Sequence, residues 1–149
     1  MNGEVVEPLH VTVDRVTTDD AAALIRAVHE SARRLRPIPI RVERLYFLPS
    51  QSRGPEIVKL EVAPDAVLDE DMNELLAAFR RCGLPSLYPS GRAKPTITTL
   101  QRVTRRDSVE ADVSGLPLEL FVADRVIVSR ITSLARYEIL DTAAIPASG

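Results

Sequence analysis

The chain has no tryptophan, one cysteine, three phenylalanines and three tyrosines among its 149 residues. Each scarcity excludes something. A lone thiol, Cys82, can form neither an intramolecular disulfide nor a cysteine-based metal site, which fits a reducing compartment and makes the cytoplasm the expected location. Few rings also disfavour a long single strand of nucleic acid, whose successive bases need aromatic platforms. A small nucleotide needs only one, and Tyr46, Tyr88 and Tyr137 are the candidates. Basic excess is missing too: 19 Lys and Arg against 21 Asp and Glu leave a net charge of -2 and a pI near 5.7. Any polyanion must therefore be drawn by a local basic patch. No run approaches the roughly 18 consecutive apolar residues of a membrane span. The acidic start, Met1 to Pro8, lacks the charged-then-apolar order of a signal peptide, so no membrane partner is expected. No glycine-rich phosphate loop, zinc-ligand spacing or suitably spaced carboxylate pair occurs. Asp69, Glu70 and Asp71 stand at a predicted helix start, where they suit the dipole better than a metal. Neither metal nor cofactor is expected.

What is present is enough apolar residue, 45%, for one compact core, split at most between two small lobes. A single domain over 1–149 is expected. Leu9-His10-Val11-Thr12-Val13 alternates as a half-buried strand, with His10 and Thr12 on one face. Thr17 to Asp20 opens a helix with capping-box spacing, and Ala21, Leu24, Ile25, Val28, Ala32 and Leu35 make its apolar stripe. Pro37 and Pro39 stop it. A strand over 40–48 shifts phase at Glu43-Arg44, which predicts a bulge. The turn formers of 49–55 join it to a strand over 57–62, and a second helix over 68–82 ends at Gly83. An irregular loop, 83–95, delivers Arg92 and Lys94 to a further strand over 96–100. The segment 104–116 is ambiguous, with a short helix over 108–114 as one reading. A strand over 121–130 pairs with 136–140, and the tail 141–149 is expected to be loose. The order suggests a twofold internal repetition: an α+β protein whose two lobes, each an antiparallel sheet backed by a helix, face one another across a cleft.

The second strand partly echoes the first. In Pro95-Thr96-Ile97-Thr98-Thr99-Leu100, Thr98 takes the place of Thr12 and Thr96 the place of His10. His10-Val11-Thr12, the spacing to the echo, and the element order across nearly the whole chain resemble the two-histidine phosphoesterases. That superfamily contains the bacterial 2′-5′ RNA ligase-like proteins and cyclic nucleotide phosphodiesterases. The resemblance implies a bilobal fold with one His-x-Thr motif per lobe, in which one imidazole activates a nucleophile, the other protonates the leaving oxygen, and the threonines hold the phosphate. By that correspondence His10 is catalytic and Thr12, Thr96 and Thr98 bind phosphate. Two departures follow. Thr96 cannot exchange protons near neutrality as an imidazole does, so its presence should cost on the order of 10²- to 10⁴-fold in rate. The family usually has a strand and a helix before the first motif, whereas His10 comes nine residues in: either the start is truncated or the fold lacks its first strand, which would expose a sheet edge to a second copy of the chain.

Three functions are open on the sequence: a weak phosphodiesterase for 2′,3′-cyclic or 2′-5′ linkages using His10, a silent binder of nucleotides or RNA ends, and a structural or interaction module with a relic cleft. Arg92, Lys94 and Arg102 are the nearest candidate anion-binding cations. Simpler roles stand beside these: a hydrogen-bonded strand histidine for His10, strand formers for the threonines, surface packing for His29, and solvated faces for Arg33, Arg34 and Arg36 and for Arg102, Arg105 and Arg106.

Overall fold

A computed structural model describes residues 4–5, 8–48, 56–87, 95–103, 118–133 and 136–147. Its elements are β1 (Glu4–Val5), α1 (Ala21–Ala32), β2 (Ile38–Leu48), β3 (Glu56–Val62), α2 (Ala66–Arg81), β4 (Thr96–Val103), β5 (Leu118–Ala123), β6 (Arg125–Ser133) and β7 (Arg136–Ala144). The loops 49–55 and 88–94, with Tyr88, Arg92 and Lys94, lie outside the described residues. So do the segment 104–117 and the side chain of Arg102.

Helix α1 starts later than the capping-box reading places it. Asp20 is the N-cap, its carboxylate accepting from the Ala23 amide at 3.0 Å, while the Thr18 hydroxyl accepts from the Asp20 amide. Such a cap contributes about 1 kcal/mol. Burial of Val28 alone, 2% exposed, contributes on the order of 2 kcal/mol, so packing of the apolar stripe outweighs the cap in holding the helix. The helix ends at Ala32, yet Leu35 beyond it stays in the core. Helix α2 is capped by Asp65, which accepts from the Val67 and Leu68 amides, and is closed by Gly83 at φ +72. There a left-handed residue ends the helix, and only glycine adopts that conformation without a Cβ penalty.

Strands β1-β4-β3-β2-β5, in that order, form one antiparallel sheet, and β6 and β7 form a second. The expected bulge is present: Val42 pairs with Val62 and Arg44 with Glu61, leaving Glu43 extra. Pro39 lies inside β2, opposite Val122 of β5. This is tolerated because β3 pairs with β2 only from Val42 onward, so no neighbour on that side requires the missing amide. Four expectations need correction. Residues 9–15 belong to no sheet, and only Val16 makes an isolated bridge, to Ser86. The expected strand over 121–130 is two strands in different sheets, broken at Asp124, whose carbonyl accepts from the Ile145 amide. The tail is not loose, since β7 runs to Ala144 and Ala143 is 1% exposed. The lobes are also not successive halves of the chain: α1 packs on β6 and β7, whereas α2 sends Leu68 into the larger sheet's core.

The two clusters show why. Ile38, Ile40, Val42, Leu60, Val62, Leu68 and Ile97 form the core of the larger sheet, whereas Val28, Ala32, Leu75, Phe79, Val128 and Ala143 join both helices to the β6–β7 hairpin. Helix α2 thus serves one cluster with its first two turns, through Val67, Leu68 and Met72, and the other with its later turns. Arg34 and Arg36 clamp it to the end of α1: Arg34 reaches Glu74 at 2.7 Å, and Arg36 reaches Glu70 at 2.5 Å. The buried Asp71 carboxylate accepts from the Arg36 amide at 2.9 Å. These arginines are therefore not merely a solvated face, and the acids at the start of α2 have named partners.

Candidate functional site

Residues 9–13 run between the two clusters. Leu9 and Val11 pack against the core that contains Ile97 of β4, and Val13 packs against the other. The expected alternation therefore survives as packing although the strand does not form. It also brings the apolar neighbours of both motifs, Val11 and Ile97, to one cluster. Asp14 anchors the segment from below. Its side chain, 2% exposed, receives the Ser86 hydroxyl at 2.5 Å and pairs with Arg80 of α2, which also donates to the Leu84 carbonyl. A buried carboxylate is tolerable only with such partners.

His10 is half-buried beside the β6–β7 hairpin. Its Nδ1 lies 2.9 Å from the Pro8 carbonyl oxygen and 3.2 Å from the Tyr137 hydroxyl, which donates to the same carbonyl at 2.8 Å. The rings meet edge to face, 5.1 Å apart at 75°. Burial pushes the Tyr137 phenol above its usual range, so it stays neutral. Among the described residues nothing pairs with His10 Nε2. Tyr137 is opposite Ile131 and Ile139 is opposite Ser129, so these four share one face of the hairpin. Val126, Val128 and Ala143 pack on the other side, in the cluster with α1. His10 thus sits on the face away from α1, where Ile131 and Ile139 are exposed.

On β4, Ile97 is fully buried, which turns Thr96 and Thr98 to the opposite side of the larger sheet. Thr96 is opposite Glu61 and Thr98 opposite Lys59, which in turn are opposite Arg44 and Tyr46. Glu61 is buried and pairs with Arg44. The two threonines consequently share a face with two cations, Lys59 and Arg44, that were absent from the expected anion-binding set. Register could have found them: the bulge at Glu43, legible in the sequence, puts Arg44 on the face of Glu61. Tyr137 was legible only as a base platform, because its contact with His10 spans 127 residues.

The other candidates are accounted for. His29 Nε2 meets Asp141 Oδ2 at 2.5 Å across α1 and β7, which gives it a specific partner as well as a surface position. Cys82 is exposed, at the C-cap of α2. Among the described residues no three His, Cys, Asp or Glu side chains cluster as metal ligands, and no helix is long and apolar enough to cross a membrane.

Two curled antiparallel sheets, each with a helix packed against it, make a two-lobed α+β fold of the LigT kind. The solved structures that this chain resembles have that fold. TT0787 of Thermus thermophilus superposes with a TM-score of 0.64 at 16% identity, covering 99% of this chain and 85% of that one. Escherichia coli LigT complexed with 3′-AMP superposes with a TM-score of 0.62 at 19% identity, covering 97% and 82%. A structure described as a phosphoesterase gives the same values. The sequence matches no family model and no curated protein. At these identities the likeness establishes the fold.

Proposed function

We propose that this chain binds a nucleotide or RNA-terminal phosphate between its lobes, with His10 as its proton carrier and with phosphodiester cleavage weak or lost. The observation that carries this reading is His10 itself, anchored through Nδ1 with Nε2 unpaired among the described residues, in a fold that LigT shares and in which LigT was crystallised with 3′-AMP. Thr12, Thr96 and Thr98 supply hydroxyl donors to phosphate oxygens, and Lys59 and Arg44 lie on the face of the latter two. A base has Tyr137 and the exposed Ile131 and Ile139 to lie against. With threonine at 96, no second imidazole protonates the leaving group, so turnover falls by roughly 10²- to 10⁴-fold below that of a two-imidazole site. Binding through hydroxyls and cations does not depend on that proton transfer.

Hydrolysis of 2′,3′-cyclic AMP by the wild type and His10→Ala tests the catalytic part. Slow turnover that is lost in the variant supports a surviving phosphodiesterase, and equal rates in both leave a binder. Calorimetric titration with 3′-AMP tests the binding part, and absence of saturable binding removes the reading. The exposed Ile131, Ile139 and Val122 favour a second reading, a non-catalytic interaction module. Within the described residues β1 pairs with β4 only at Leu100 and Gln101. Self-association through a sheet edge belongs to the same reading, and sedimentation at rising concentration would detect it.

A further inference from the structure

We infer that Tyr137 is a positioning residue: with the Pro8 carbonyl it fixes His10 as the Nδ1–H tautomer and turns Nε2, unprotonated, toward whatever binds on that face of the hairpin. The inference deepens the proposed role of His10, but its core is a statement about a proton and stands on three distances. Pro8 O lies 2.9 Å from Nδ1 and 2.8 Å from the Tyr137 hydroxyl, and that hydroxyl lies 3.2 Å from Nδ1. A carbonyl oxygen only accepts, so each of its two bonds needs a proton on the other atom. The phenol has one proton, and donation to Pro8 O uses it. Nδ1 must then carry its own, shared between Pro8 O and the phenol oxygen. The reverse assignment, with the proton on Nε2, sets the Nδ1 lone pair against the carbonyl lone pairs at 2.9 Å, which is repulsive. In the neutral ring only one protonation pattern satisfies all three atoms.

Burial keeps the phenol protonated through the neutral range, so the triangle does not open near pH 7. The edge-to-face contact at 5.1 Å fixes the ring plane as well. Tyr137 is itself held by β6–β7 pairing opposite Ile131, so a strand, not a loop, sets the imidazole. An imidazole free in water carries its neutral proton mainly on Nε2, which would leave the wrong nitrogen as acceptor. The protein reverses that preference.

The test is long-range ¹H–¹⁵N correlation of the imidazole nitrogens above the histidine titration, in the wild type and in Tyr137→Phe. The chain has two histidines, and His10→Asn assigns the signals. The expected wild-type spectrum shows His10 mainly as Nδ1–H, with Nε2 at the shift of an unprotonated nitrogen. Tyr137→Phe keeps the ring contact but removes one acceptor, so the ratio of Nδ1–H to Nε2–H should fall roughly two- to tenfold, the range one neutral hydrogen bond supports. His29, paired with Asp141, should not change. A wild-type ring that is mainly Nε2–H overturns the inference, even if the variant fails to fold. An unchanged ratio in a folded variant overturns the role of Tyr137. Neither outcome depends on turnover or on ligand: a chain that fails to bind 3′-AMP but shows Nδ1–H would sink the proposed function and leave this inference standing.

Discussion

Ser31 is the one buried side chain whose polar atom lacks a hydrogen-bond partner among the described residues: it is 0% exposed, in α1. An unmade bond there contributes nothing, while desolvating the hydroxyl costs. Ser31→Ala should therefore leave stability unchanged or raise it by up to about 1 kcal/mol, as read by chemical denaturation. Asp14 predicts the opposite sign. Its carboxylate holds the Ser86 hydroxyl and pairs with a half-exposed Arg80. Asp14→Ala should cost roughly 2 kcal/mol, the scale of a charge-assisted hydrogen bond left unmade. Tyr137 adds a pH dependence. Its folded-state pKa lies above its unfolded value near 10, so folded and unfolded chains are both neutral there at lower pH and no stability is lost. Above about pH 10 the unfolded chain releases the proton first, and stability should fall as pH rises through the folded value. Tyr137→Phe should remove that component of the alkaline loss in a pH series of denaturation curves.

At the scale of elements, Gly83 isolates one contribution. A Cβ there would meet nothing within 4 Å, yet φ is +72. Gly83→Ala should thus cost roughly 1 kcal/mol through backbone conformation alone, with α2 otherwise intact. That helix end was legible because a glycine after Arg80-Arg81 leaves few alternatives, and the bulge at Glu43 was legible because a one-residue phase slip turns every later side chain over. The failures have a common cause. Residues 9–13 alternate as a strand does, but alternation reports which side chains face a core and not whether a neighbour offers backbone groups to pair with. Likewise 121–130 is continuously β-forming, and the break at Asp124 is set by two separate sheets that each claim one part. The tail pairs because β6 lies beside it, which no local signal in 141–144 records.

For the whole molecule, the echo of His10-Val11-Thr12 in Thr96-Ile97-Thr98 pointed to the fold, while the interleaving of the lobes through α2 left no mark in the order of elements. The segment carrying the first motif packs between the two clusters, held by Asp14 to α2 and by Tyr137 to the final hairpin. Of the proposed site, His10, Thr12, Thr96 and Thr98 come from the motif alone, whereas Lys59 and Arg44 follow from register and Tyr137 from a contact across the chain. The proposed function requires that a phosphate-bearing nucleotide settle against His10. Titration of 3′-AMP into the wild-type chain, followed through the ring signals of its two histidines, tests it most directly. The expected result is a saturable shift of His10 with His29 unmoved. No saturable change at His10, or equal drift of both rings, would contradict it.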